Sequence, residues 1–169
     1  DLEEILRPQP RAHRVERERG RPSARAGERA ARGGGLTMAT TLAYGATTIT
    51  LSDDLLWSDE FDWHPIEQRS AYTLAGALVR ESGARLKGRP ITLEPIDDDS
   101  AWMARSTVAA LRAAAAIAGQ QFTLTLRGTA YTVVFRHEDG AALQARPVVH
   151  YADVVAGDWY LATLRLMEV

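Results

Sequence analysis

Between Phe122 and Arg136 the sequence alternates. Phe122, Leu124 and Leu126 are interleaved with Thr123, Thr125 and Arg127, and after Gly128-Thr129 the apolar residues Tyr131, Val133 and Phe135 are interleaved with Thr132, Val134 and Arg136. In an extended chain successive side chains point to opposite faces, so a period of two gives each run one face for a core and one for solvent. Two such runs joined by a short glycine-containing turn form a β-hairpin. A chain committed to such a hairpin must supply further strands or a helix to cover its apolar face.

The rest of residues 38–169 is read in the same way. Thr47 to Leu51 is β-branched and alternating, a strand that Ser52-Asp53-Asp54 ends as a turn. Leu55 to Pro65 mixes three aromatics with acids and reads as an irregular loop or distorted strand. In Ser70 to Val79, Tyr72, Leu74 and Leu78 share one face at period two, and Gly76 disfavours a helix. The expectation there is a strand, followed by a short turn bracketed by Gly83 and Gly88. Arg89 to Pro95 has proline near both ends, which suits an edge strand.

One helix is expected over about 101–118, with Ser100 or Asp99 as its cap and Gly119 as its stop. Ala104, Val108, Leu111, Ala115 and Ala118 form a narrow stripe of small side chains that would let this helix sit close to a sheet, and Trp102 and Ile117 fall on the opposite side. Glu138-Asp139-Gly140 is a turn, Pro147 to Tyr151 a short strand, and Trp159 to Met167 the last strand. The inventory is about six or seven strands and one helix, with no alternation of strand and helix. The expected fold is mainly β, of the α+β kind: an antiparallel β-barrel or sandwich in one domain, covered by the helix at about 101–118.

Residues 1–37 differ in kind. They hold nine Arg and six acidic residues, and after Leu6 they are dense in Arg, Gly, Pro and Glu with one Val and no aromatic before Leu36. Such a segment buries too little apolar surface to offset its ordering entropy, so disorder is expected. It could be an Arg-rich nucleic-acid arm, a solvated tail, or translation from upstream of the natural start. The last reading is favoured because Met38 stands just before the first strand pattern, and purine-rich codons for Gly33-Gly34-Gly35 could belong to a ribosome-binding site. A natural N-terminal peptide from before Met38 would rule it out. Residues 38–169 carry eleven basic and sixteen acidic residues, which argues against polyanion binding by bulk charge.

Catalytic equipment is sparse. The chain has no cysteine, which removes disulfides, thiol catalysis and thiolate zinc sites. His64, His137 and His150 show no i, i+4 pairing and no HExxH, and neither a GxSxG elbow nor a GxxxxGK[ST] loop occurs. Asp97-Asp98-Asp99 lacks the alternation, glycine and distal Glu of a calcium loop and reads as helix capping. No apolar run is long enough for a membrane helix, and a signal peptide is not expected. The expectation is a protein without catalysis, cofactor or metal. Trp57, Phe61 and Trp63 either fill the edge of the core or face a partner, aromatics being favoured at interfaces.

Gly88 to Leu93, Trp102 and the helix to Leu111, Gln121 to Gly128, Tyr131 to Arg136, Arg146-Pro147-Val148 and the closing Trp159 to Val169 together resemble tail proteins of bacteriophages. The pattern is similar to small virion structural proteins encoded near tail-tip genes in siphophages and related prophages, and to the β-barrel of distal tail proteins. It covers roughly residues 44–169. The resemblance implies a ring-forming tail-tip or baseplate subunit that works by assembly, without an active site. Its partners would be copies of itself and other tail proteins (tube, hub, tape measure), with assembly in the bacterial cytoplasm and a final place in the virion tail. The strands Arg89–Pro95 and Trp159–Val169 would offer edges for pairing. Trp57, Phe61, Trp63, Trp102, Ile117, Trp159, Met167 and Val169 are the expected interface residues. A monomeric ligand- or carbohydrate-binding module is the alternative, with the tryptophans as stacking surfaces.

Overall fold

A computed structural model describes residues 39–169. The readings of residues 1–37 as disordered, nucleic-acid-binding or upstream sequence lie outside the described residues.

One long strand, β11 (Trp159–Glu168), organises the fold. Leu166 pairs with Phe135 of β9 (Thr129–Phe135) on one edge and with Ile91 of β6 (Pro90–Glu94) on the other. Nearer its start, Tyr160 pairs with Pro147 of β10 (Leu143–Pro147) on the first edge and with Met103 of β7 (Met103–Ala104) on the second. Strands β9 and β10 therefore line one side of β11, separated by an excursion through residues 136–142. Strands β6 and β7 line the other, separated by the loop from Pro95 to Trp102.

The main sheet runs β2 (Thr47–Thr50), β1 (Thr41–Tyr44), β8 (Phe122–Leu126), β9, β11, β6, β3 (Leu56–Trp57), and every pairing in it is antiparallel. It does not close into a barrel. It does curl: Trp57 on the last strand packs edge-on against Tyr131 of β9 with ring centroids 5.6 Å apart, although β11 and β6 lie between their strands in the sheet. The inward set is the one the alternation selects. Leu42, Leu124, Val133, Ile91, Leu93, Leu164 and Leu166 have no exposed surface, and burying each such side chain contributes roughly 1.5–3 kcal/mol. The expected hairpin is present as β8 and β9, with Leu126 opposite Thr129.

The one helix among the described residues, α1 (Arg105–Ala115), buries Leu111 and Ala114 against this core, with Val108 and Ala115 beside them. It is shorter than the 101–118 expected. Met103 and Ala104 are extended and pair with β11, so the backbone cannot turn helical before Arg105. The expected cap is also corrected. Ala104 occupies the capping position with no side-chain bond, and the first two helical amides donate instead to the carbonyls of Asp158 and Ala156.

Other expectations shift with the pairing. Pro147 to Tyr151 is not a strand: pairing with β11 takes Leu143–Pro147 instead. Arg89–Pro95 is not an edge, since β3 pairs on its far side, and Trp159–Val169 is the most internal strand of all. Ser70 to Val79 is not one strand but the tip of a hairpin. Strands β4 (Ile66–Tyr72) and β5 (Leu78–Ala84) pair only with each other, outside the main sheet.

Candidate assembly surfaces

The β4–β5 hairpin is an arm. From His64 to Lys87 every residue is exposed. Its strands are seven residues each, which at about 3.3 Å per residue gives a reach of about 23 Å. The turn follows from its residues. The Gly76 amide donates to the Thr73 carbonyl, the Thr73 amide donates to the Ala77 carbonyl, and the Thr73 hydroxyl oxygen accepts from the Ala77 amide. Gly76 adopts φ 83°, the left-handed conformation that closes a three-residue hairpin loop and that glycine adopts without strain. At the base, the Arg85 amide donates to the Pro65 carbonyl and Arg85 pairs with Glu67.

The arm's composition changes along its length. The rung nearest the body pairs exposed Ile66 with Ala84, and the next three carry Glu67, Gln68, Arg69, Glu81 and Ser82. At the tip they carry Ala71 opposite Val79 and Tyr72 opposite Leu78, capped by Leu74. Tyr72 is 76% exposed and Leu74 fully so. A lone two-stranded hairpin is marginally stable in water, and one that displays Tyr72, Leu74 and Leu78 together at its far end gains by placing them against another surface.

A second surface forms around Trp102 and Trp159. Pairing of β7 with β11 brings their rings to 6.5 Å. The Trp102 indole N–H donates to the Asp98 carbonyl, and the Tyr151 hydroxyl accepts from the Trp159 amide at 3.0 Å while its ring stacks on Tyr160. The neighbouring loop is held by Asp158, whose buried carboxylate accepts the Val155 amide at 2.7 Å. Val149, Val154, Val155 and Trp159 are exposed, and the loop from Val155 to Asp158 meets the start of the helix through the Ala156 and Asp158 carbonyls. Asp97, Asp98 and Asp99 precede Trp102 in the chain and Asp153 precedes Val154; Asp98 pairs with Arg146.

The eight interface candidates separate. Trp102 and Trp159 are brought together. Trp57 is 4% exposed and belongs to the core, with the Arg89 guanidinium 4.4 Å above its ring. Phe61 is exposed and Trp63 half-buried in the loop after β3. Ile117 lies exposed beyond the helix, beside a cavity of about 60 Å³ lined also by Phe122, Phe135 and His137, room for a few waters. Met167 on β11 and Val169 just beyond it are half-buried, and the Val169 amide donates to the Thr132 carbonyl. Sequence reasoning missed the arm, although the available signal was Thr73-Leu74-Ala75-Gly76, a turn with glycine at its left-handed position.

The acidic loop after β3 has a structural task. Asp59 accepts the Thr92 amide and hydroxyl, both at 2.7 Å, and lies 3.8 Å from Arg136. Glu60 pairs with Arg127 at 2.9 Å, and its carbonyl accepts from Arg89. These bonds tie the far edge of the sheet to the β6 backbone and to the β8–β9 turn. Among the described residues no three His, Asp or Glu side chains converge as metal ligands, and His64, His137 and His150 are all exposed. No helix of the described residues is long and apolar enough to cross a membrane. Compared with known protein families, with curated proteins and with solved structures, the chain matches none.

Proposed function

We propose that this protein is a structural subunit that acts by assembly, in the manner of a bacteriophage tail-tip or distal tail component, and carries out no catalysis. The exposed β4–β5 arm carries the reading. A hairpin that protrudes about 23 Å and holds Tyr72, Leu74 and Leu78 in water has a rationale if a neighbouring subunit covers it. The curled sheet and its helix supply a rigid base for that arm, and the resemblance of residues 44–169 to tail proteins supplies the biological setting. Sedimentation or light scattering of the full chain, beside a variant whose residues 66–84 are replaced by a short Gly-Ser link, tests it. Concentration-dependent oligomers that the variant no longer forms support the reading. A full chain that stays monomeric contradicts it.

A second reading rests on the Trp102–Trp159 pair, two indoles 6.5 Å apart with Trp159 42% exposed. Clustered exposed indoles suit stacking against sugar rings. That reading requires a monomer retained on polysaccharide gels, with retention lost on Trp159→Ala.

A further inference from the structure

We infer that the tip of the β4–β5 arm docks on the Trp102–Trp159 surface of a second copy of this chain, so that copies join head to tail. This rests on the assembly reading above and adds to it the surface that receives the arm. Both surfaces hold exposed apolar residues near charge, and on the faces concerned the signs are opposite. On the arm, Arg80 sits on the same face as Tyr72 and Leu78, two rungs in from that last pair, while Glu81 falls on the opposite face; Arg80 has no carboxylate partner among the described residues. On the receiving side, Asp97, Asp98 and Asp99 lie just before Trp102, whose indole N–H donates to the Asp98 carbonyl, and Asp153 lies just before Val154; of these four only Asp98 has a cation partner among the described residues.

The arm does not cover its own chain's surface, because all its residues are exposed. A second copy supplies both halves of the contact at once. The apolar tip and the Val154, Val155 and Trp159 cluster leave water together, and Arg80 arrives beside unpaired carboxylates, which fixes orientation. Arm and receiving surface are different parts of one chain, so the contact is heterologous. Repetition then gives a ring where the rotation closes and a filament where it does not.

The absence of cysteine allows a direct test. Leu74→Cys and Val155→Cys both lie at exposed positions and leave the core untouched. Each variant is oxidised alone and in an equal mixture with the other, and products are separated without reductant. The docking predicts a cross-linked dimer in the mixture and little in either variant alone, and a ladder of higher species from the double variant. Adding Arg80→Glu to the Leu74→Cys chain lowers the mixed cross-link. A wild-type chain that is monomeric by light scattering removes the assembly reading itself. If the chain assembles but the mixture gives no cross-link, or Leu74→Cys alone gives as much as the mixture, the docking is wrong while assembly stands. An unchanged cross-link with Arg80→Glu likewise overturns it.

Discussion

Tyr72 stands opposite Leu78 on the last rung of a hairpin that touches water on every side. In a main sheet such a cross-strand pair would be half covered by a core; here nothing in the described residues covers it. The pair contributes about 0.2–1 kcal/mol to holding the arm together, and its remaining apolar surface is what a partner can take out of water.

Replacing Leu74 by Asp at the tip separates folding from assembly. The side chain is fully exposed, so the unfolding free energy should stay within about 0.5 kcal/mol of wild type. Association should weaken markedly. Denaturant titration and light scattering on the same sample check the two halves.

Gly76→Val tests the turn. No atom lies within 4 Å of where a Cβ would stand, so crowding is not an issue, but φ 83° is a conformation that a β-branched residue resists. The expected cost is roughly 1–2 kcal/mol, confined to the arm. Amide exchange should accelerate between Ile66 and Ala84 and stay unchanged in β8, β9 and β11. Acceleration throughout would mean that the arm supports the body.

Leu164→Ala probes the centre of the sheet. Leu164 is fully buried and faces Leu93 on one side and Leu143 on the other. A cavity there should cost about 2–5 kcal/mol, seen as a lower denaturation midpoint with an unchanged slope.

Asp59→Ala should cost about 1–3 kcal/mol, because the Thr92 amide and hydroxyl lose their acceptor in a half-buried setting. The loss should loosen β3 and the Trp57–Tyr131 contact, visible as a change in tryptophan fluorescence. An unchanged unfolding curve would show that this loop contributes nothing to closing the curl.

Much of the body is legible in the sequence. The alternation of Phe122 to Arg136 reflects burial on one face, a local property, and the structure places those two strands and the last strand from Trp159 as read, although consecutive Leu161 and Ala162 are both buried. What failed depends on long-range pairing. Trp102 and Met103 fit a helical start by composition, and only the register of Met103 with Tyr160 and of Ala104 with Trp159 makes Met103 and Ala104 extended. Pro147 to Tyr151 has better strand residues than Leu143 to Pro147, yet the partner strand selects the latter. The arm was misread because Tyr72, Leu74 and Leu78 look like a buried face at period two. A hairpin tip made for another surface has the composition of a core strand, and no local pattern tells them apart. Trp102 stands out in the sequence as lying off the expected helix stripe and Trp159 as an aromatic opening the last strand, and their proximity follows from the same β7–β11 pairing.

Amide hydrogen exchange of residues 66–84, measured across a range of protein concentrations, bears most directly on the claim that the arm is completed by another subunit. Protection that is weak in dilute protein and rises with concentration at Tyr72, Leu74 and Leu78 is the predicted result. Fast exchange across the arm at every concentration, in a sample whose β11 amides remain protected, would contradict it.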